Sequence, residues 1–411
     1  MLRNVHRKLS GQALLNRKLI YVLGFMVFFW SLYDSTMAYV TPLLISENNF
    51  SNLMLGVIYS SSSVAGATFD FLICKIFKNA QFRRYFLIMF VICSIYPLLL
   101  WHASTFWFYV FVMGLWGIYF DFYSFGIFDF VSRHVKKEHY AHGFGFIQIF
   151  RTCAFIIGPL LLGFLIVEDV RWEIMAIGLA LLSIAFMIFL FLLHRLKGIE
   201  PMREEKKQRR KNFLVELILW RKLGRRITPA LLITFFILVI DAFFWTLGPL
   251  YSIEMGLGEL SGLFIIAYTI PMIITGSIVG KLALRFKKFK LATVNLIVGS
   301  LVLATFMFWE NPVAVIATIF ISSFFTGISY PAINSIYTEY ISEKPSEENE
   351  IEGLEDFSVN LGYVVGPVSA GFIAQYFGIQ VAFSVLGCIG VLLGTVLFFR
   401  KPKVAKEVVE R

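Results

Sequence analysis

The stretch FFWSLYDSTMAYVTPL at Phe28–Leu43 is written twice in this chain: its counterpart, FFILVIDAFFWTLGPL, begins 207 positions later, at Phe235. Both copies read Phe-Phe, four residues, Asp, seven residues, Pro-Leu. Each copy lies in an apolar run long enough to cross a bilayer and places one carboxylate, Asp34 or Asp241, near its middle. A charge there costs roughly 2.5–3.5 kcal/mol. Its presence in both halves predicts a membrane protein built from two related halves, with a working site at mid-depth.

The composition supports a membrane protein, because hydrophobic residues are 58% of the chain, charged residues are 16% and the mean hydropathy is +0.75. Six apolar runs lie on each side of a basic linker. The runs cover residues 19–45, 53–74, 85–101, 106–131, 143–167, 172–194, 230–253, 261–284, 291–309, 312–341, 357–377 and 380–399.

These runs predict an all-α integral membrane protein with twelve transmembrane helices in two pseudo-symmetric six-helix bundles. We expect a cytoplasmic N-terminal segment and two bundles separated by a basic linker and followed by a short tail. The corresponding residues are 1–18, 19–196 for the first bundle, 197–228 for the linker, 229–400 for the second bundle and 401–411.

The positive charges predict the orientation. Of the 37 lysines and arginines, Arg151 lies within a span and Arg171 in one loop, and the other 35 fall on the side shared by both termini and the linker. By the positive-inside rule that side is cytoplasmic, and we expect the protein in the plasma membrane. The linker segment 197–226 fits either a helix lying on the anionic inner leaflet or a plain tether.

The repeat extends beyond the opening stretch. A Gly-Pro element, Gly158-Pro159 with Gly163, recurs as Gly366-Pro367 with Gly371, 208 positions later. Gly66 and Lys75 near the end of span two recur as Gly276 and Arg285 near the end of span eight. Parallel halves related by an axis along the membrane normal would produce this pattern.

The chain resembles the major facilitator superfamily of transporters over essentially its whole length. The twelve spans, the two halves, the central linker and two degenerate motifs support this resemblance. In the loop after span two, Gly66, Asp70 and Lys75 match the family pattern Gly-x-x-x-Asp-basic-x-Gly-basic-basic, whereas Phe71 and Ile73 depart from it. The copy after span eight keeps Gly276, Lys281 and Arg285 but has Gly280 at the acidic position.

The resemblance implies roles for these motifs. The loop after span two is implied to be a gating latch between the halves. The Gly-Pro element of span five is similar to one associated with the exporters of the superfamily, although its recurrence in span eleven favours helix packing and kinking. The resemblance also implies that spans one, four, seven and ten line a central cavity.

Asp34 and Asp241 lie on two of these cavity helices. A carboxylate partly removed from water can exchange a proton for a substrate or a cation, which predicts proton or substrate binding at both positions. The alternative is an acid fixed by hydrogen bonds to neighbouring helices. Trp30 and Trp245, each four residues from the repeated aspartate, share its helix face and are predicted to join the same site.

Arg151 is a basic residue inside a span, and Asp121 in span four comes to about the same depth. An arginine in lipid must face the bundle and find a partner, which Asp121 or Asp34 could supply. The pair could bind polar groups of a substrate or relay a proton, or it could be purely structural. Asp129 and Glu339 at helix ends, and Asp356 as an N-terminal charge of span eleven, are expected to have structural roles.

The sequence contains neither a P-loop nor metal-ligand spacing among its histidines and four dispersed cysteines. We therefore expect no enzymatic activity and no cofactor, with the proton gradient as the energy source. The expected partners are a small-molecule substrate and membrane lipid, and no nucleic acid. We expect the protein to be a monomer. Proton-coupled export of small amphipathic compounds is the first interpretation. Proton-linked uptake of a sugar or organic solute, and a non-transporting receptor or assembly protein, are the alternatives.

Overall fold

A computed structural model of the chain describes residues 2–76, 81–135, 140–166, 170–196, 213–343 and 347–399. Within these ranges the side chains of 2–17, 70–76, 140–142, 213–222, 225, 226, 259, 277, 342, 348 and 349 are not described. The regular structure of this part consists of twelve α-helices and two short 3-10 helices, Gly258–Leu260 and Phe306–Phe308. The α-helices are α1 Leu2–Glu47, α2 Asn52–Ile76, α3 Phe82–Trp101, α4 Phe106–His134, α5 Tyr140–Leu165, α6 Trp172–Arg195, α7 Phe213–Glu254, α8 Leu263–Arg285, α9 Lys288–Ala304, α10 Pro312–Glu343, α11 Glu348–Phe377 and α12 Ile379–Phe399.

The helix count confirms the predicted all-α, twelve-helix class, and most helix ends lie within about three residues of the predicted apolar runs. Three helices begin much earlier than predicted, because apolar runs mark only the part of a helix that is matched to lipid. The segment 213–226 of the linker is the first part of α7, whereas 197–212 lies outside the described residues. Asp356 lies in the third turn of α11, so the expectation that it is an N-terminal helix charge is wrong.

The helices have the dimensions and surface of membrane spans. Ten helices in the described part are long and apolar enough to cross a membrane, and α8, which bends by 54° after Gly276, would be an eleventh. Large apolar side chains are widely exposed, for example Trp107 (77%) and Val313 (74%). A surface of this kind is stable against lipid but not against water.

The helices form two compact units with corresponding internal packing. The first unit contains α1, residues 64–76 of α2, and α3–α6. The second contains residues 49–63 and α7–α12. In the first unit α1 packs on α5 and α6, and α3 packs on α4 and α6. In the second, α7 packs on α11 and α12, and α9 packs on α10 and α12. Each of these pairs recurs six helices later, as expected when a repeated sequence folds into a repeated structure.

The Gly-Pro elements allow close contacts between α5 and α1 and between α11 and α7. A Cβ added to Gly158 in α5 would overlap the side chain of Ser35 in α1. A Cβ added to Gly366 in α11 would lie 2.5 Å from the Cβ of Ala242 in α7. Ser35 and Ala242 each directly follow a repeated aspartate. Small residues at helix contacts in membranes let the backbones approach closely, and here they fix the helices that carry Asp34 and Asp241.

The acids near one end of α4 and α10 tether the start of a neighbouring helix. Asp129 accepts the backbone N–H of Phe82, the first residue of α3, at 2.7 Å, and pairs with Arg133 at 2.7 Å. Glu339 pairs with Lys288, the first residue of α9. The first N–H groups of a helix lack partners within the helix, and Asp129 supplies one for α3. Glu339 instead pairs with a lysine at the start of α9. Both acids therefore have the structural role expected of charges at helix ends.

Candidate functional site

Asp34 is buried inside the first unit, with 2% of its surface exposed. Its Oδ1 accepts a hydrogen bond of 2.8 Å from the hydroxyl of Tyr119 in α4. The indole of Trp116, one turn earlier on α4, adds electrostatic stabilisation of the carboxylate. A buried carboxylate without donors would cost several kcal/mol, so these side chains are what allow the acid to occupy the interior.

Aromatic rings cover one side of Asp34. The Trp30 ring, one turn before Asp34 on α1, stacks on Tyr123 with centroids 4.0 Å apart and planes at 10°. It meets Tyr119 edge-on at 6.3 Å. The pair Trp30 and Asp34 thus faces the pair Tyr119 and Tyr123, each pair at the i, i+4 spacing that places two side chains on one helix face.

Arg151 in α5 completes this cluster. Its guanidinium lies over the rings of Phe120 at 4.9 Å, Phe155 at 5.4 Å and Tyr123 at 5.9 Å. Its charge also interacts favourably with Asp34. We call this group the N-terminal cluster; it consists of Trp30, Asp34, Tyr119, Phe120, Tyr123, Arg151 and Phe155.

Asp121 lies on a different face of α4. One of its carboxylate oxygens is 3.1 Å from the position that a Cβ on Gly66 of α2 would occupy, while its neighbour Phe120 faces Arg151. The structure does not bring Arg151 and Asp121 together as an ion pair within 4.0 Å. Successive side chains of a helix point about 100° apart. Because Phe120 faces Arg151, the next residue, Asp121, points away from it although the two lie at a similar depth.

Asp241 in the second unit holds two phenols. Tyr268 of α8 donates to its Oδ1 and Tyr363 of α11 donates to its Oδ2, each at 2.6 Å. The ring of Phe244 stacks on Tyr268 with centroids 4.1 Å apart and planes at 16°. We call Asp241, Phe244, Tyr268 and Tyr363 the C-terminal cluster. The stacked ring is Phe244, the residue before the predicted Trp245, which is half-buried.

The predicted gating and packing residues are placed as follows. Gly66 faces Asp121, whereas the side chains of Asp70 and Lys75 lie outside the described residues. Gly276 precedes the bend of α8, and Lys281 and Arg285 are exposed near its end. The remaining residues of the Gly-Pro elements are buried or half-buried in α5 and α11: Pro159, Gly163, Pro367 and Gly371.

Gly371 and Pro367 take part in a second close contact, inside the second unit. The carbonyl of Pro367 lies against Gly56 of α2, and Gly371 lies against the carbonyl of Asn52. The backbone N–H of Leu53 donates to Gln375 at 3.2 Å. The first two turns of α2 therefore touch α11 through backbone atoms.

Sequence reasoning missed the phenols that bind the aspartates. Tyr119 was visible as an aromatic residue on α4, and its spacing from Trp116 and Tyr123 places all three on one helix face. Tyr268 and Tyr363 had no comparable local signal, since they lie 27 and 122 positions from Asp241.

Comparison with known proteins agrees with this architecture. A family model of the Major Facilitator Superfamily matches residues 19–350. The chain belongs to the Major Facilitator Superfamily. It is a multi-pass membrane protein of that superfamily, which confirms the resemblance drawn from its motifs.

One relative of this chain is a multi-drug resistance efflux pump PmrA homolog of Lactococcus lactis. The two are 23% identical over 276 residues, which is 65% of this chain. The match spans 63% of that relative, less than two thirds of its length. Similar solved structures include a bacterial homolog of the human lysosomal transporter Spinster, inward-facing and unoccupied (TM-score 0.75, 11% identity, 94% of this chain and 96% of that one). The nucleoside transporter NupG is another, with a TM-score of 0.73 and 13% identity, covering 93% of this chain and 99% of that one. At these identities the structures show a shared fold.

Proposed function

We propose that this superfamily transporter exports small amphipathic compounds by alternating access, coupled to a proton gradient. Asp34 and Asp241 would be the groups that exchange a proton for the substrate. Arg151 and the aromatic rings of the N-terminal cluster would contact the substrate.

The observation that carries the proposal is the hydrogen bonding of the two aspartates in the middle of membrane helices. Each carboxylate meets at least one phenol, Tyr119 or the pair Tyr268 and Tyr363. A phenol can donate to an ionised carboxylate and can also accept from a protonated one. The same surroundings therefore tolerate both protonation states, which a proton-carrying site must pass through in each cycle.

The direction of transport is supported by the likeness to the multi-drug resistance efflux pump homolog. Charged groups at mid-depth also argue for transport rather than for a purely structural fold. Placing them in the membrane costs free energy, and a fold without a transport function gains nothing from them. The rest of the proposal is a monomer in the plasma membrane with both termini cytoplasmic, acting on a small molecule in contact with lipid. It would have no cofactor, enzymatic activity or nucleic-acid partner.

Proton movement in inverted membrane vesicles tests the proposal. A pre-formed pH gradient is challenged with lipophilic cations, then sugars, then organic anions, using the wild type and the Asp34→Asn variant. We expect one class to discharge the gradient in the wild type and not in the variant, because the amide cannot take up the proton. Glu310→Gln is the matched control, since Glu310 is exposed between α9 and α10 and belongs to neither cluster.

Each outcome is informative. If no class discharges the gradient in this orientation, export is contradicted, and right-side-out vesicles then test proton-linked uptake of a sugar or organic solute. Discharge that persists in Asp34→Asn contradicts the role of Asp34. Failure in both orientations contradicts proton coupling altogether and leaves the receptor or assembly role as the remaining interpretation.

A further inference from the structure

Among the residues that the structure describes, none accepts a hydrogen bond from the guanidinium of Arg151 or forms an ion pair with it. It lies in the third to fourth turn of α5, half-buried, and its contacts are the faces of Phe120, Tyr123 and Phe155. No carboxylate of the described residues lies within 4.0 Å of it. Ring faces neutralise part of a positive charge, but they accept none of the five N–H groups in the way that an anion does.

Asp34 cannot serve as that missing acceptor in the present arrangement. Its carboxylate is almost completely buried, and its Oδ1 already accepts a hydrogen bond from the hydroxyl of Tyr119. The interaction between Asp34 and Arg151 is therefore a longer-range attraction, not a fork of hydrogen bonds. A guanidinium placed at this depth in lipid requires a partner, a water-filled space or a ligand.

We infer that the N-terminal cluster binds a planar aromatic compound carrying one carboxylate or a similar anionic group, with the anion on Arg151. This inference rests on the proposed function and names the substrate class of the same site. A planar carboxylate matches the guanidinium fork with two parallel hydrogen bonds.

The rings around Arg151 supply the second half of the recognition. Phe120 and Phe155 flank the guanidinium and are themselves half-buried, so each keeps surface that a flat ligand can cover. Aromatic pairs in offset or edge-to-face arrangements gain stability beyond the apolar area that they bury. A lipophilic cation would meet these rings too, but it would be repelled by Arg151.

Equilibrium dialysis tests this inference with the full-length protein in phosphatidylcholine nanodiscs and with empty nanodiscs as the blank. The probes are two matched sets: 1-naphthoate, 1-naphthamide and 1-naphthylmethylammonium, and benzoate, benzamide and benzylammonium. We expect the carboxylate of at least one set to bind more tightly than its amide and its ammonium counterpart. Equal or weaker binding of both carboxylates would overturn the inference.

Variants of Arg151 then locate the anion. Arg151→Gln should weaken carboxylate binding roughly ten- to a hundred-fold, as expected for the loss of a charge-assisted hydrogen bond, and leave amide binding unchanged. Arg151→Lys should retain part of the preference. Arg195→Gln is the control, because Arg195 also lies over a ring, that of Phe191 at 5.0 Å, but at the end of α6.

An equal loss for all three probes in Arg151→Gln would assign Arg151 a structural role and contradict the inference. If Arg151→Gln does not fold, the wild-type preference and the Arg151→Lys variant decide the matter. Discharge of the pH gradient by neutral or cationic compounds, dependent on Asp34, would leave the proposed function standing while the anion inference fails.

Discussion

At the scale of single residues, the two repeated aspartates occupy corresponding positions in α1 and α7 but have different hydrogen-bond partners. Asp34 accepts a hydrogen bond from one phenol of α4, whereas Asp241 accepts hydrogen bonds from two phenols, one of α8 and one of α11. The two carboxylates therefore have different hydrogen-bond partners in otherwise corresponding helices. We expect the two sites to contribute unequally to transport.

Tyr119→Phe tests the importance of the Asp34 hydrogen bond for stability. The variant leaves Oδ1 of a buried carboxylate without its phenol donor. We expect the free energy of unfolding to fall by roughly 1–2 kcal/mol. This value lies between the cost of an unsatisfied buried acceptor in soluble proteins and the smaller hydrogen-bond energies found within membranes. Denaturant unfolding in detergent micelles measures the loss.

Tyr123→Phe is the matched control for this experiment. It keeps the ring that stacks on Trp30 and leaves the bond between Tyr119 and Asp34 in place. A loss in Tyr123→Phe equal to that in Tyr119→Phe would show that the phenol on Asp34 has no special role.

The residues of the site could be predicted only in part. The register of the repeat was enough to find Asp34 and Asp241, because a mid-span acid repeated in both halves stands out against an apolar background. Helix spacing could not choose between Phe244 and Trp245, since positions three and four residues on share one face with Asp241. The tyrosines come from other helices, and a single sequence carries no information on which helices touch.

At the scale of helices, the Gly-Pro elements serve the helices that carry the aspartates. Gly158 touches Ser35, directly after Asp34, and Gly366 touches Ala242, directly after Asp241. The sequence revealed the elements through their repetition, but it could not reveal their partners. The correspondence explains why both copies keep a glycine at this point, whatever the direction of transport.

Gly158→Ala tests this packing. The added Cβ would overlap the Ser35 side chain, so we expect a destabilisation of about 1–3 kcal/mol, typical of overpacked interiors. The effect should be smaller when Ser35→Gly is present, because the second change removes the overlapping atoms. Thermal unfolding of the four proteins of this double-mutant cycle measures the coupling.

Gly145→Ala is the control on the same helix, since beyond the adjacent residues and backbone of α5 no described atom lies within 4 Å of its added Cβ. Equal effects of Gly145→Ala and Gly158→Ala, or strict additivity with Ser35→Gly, would contradict a specific contact between α5 and α1.

At the scale of the whole molecule, the twelve-helix class could be predicted almost completely. Apolar runs of about twenty residues mark the membrane crossings, and each polar interruption marks a loop. The early starts of α1, α7 and α11 could not be predicted in this way. Helices continue past the lipid boundary through polar sequence, where hydropathy carries no signal.

The proposed orientation predicts which loops can be labelled from outside the cell. In a variant with all four cysteines replaced, Ser104→Cys, in the exposed turn between α3 and α4, should react with a membrane-impermeant maleimide on intact cells. Lys287→Cys, exposed between α8 and α9, should react only after permeabilisation. The reverse pattern would place both termini outside. Equal labelling of the two cysteines would contradict an odd number of crossings between them.

The number of helices in each repeat has an evolutionary consequence. Six is even, so a six-helix chain ends on the side of the membrane where it began. Two copies of its gene could therefore be fused end to end by a short linker, with no extra crossing and no inversion of either copy. An ancestor with an odd number of helices could not have been doubled in this way. The parity of the repeat made the duplication possible before any residue of the second copy diverged.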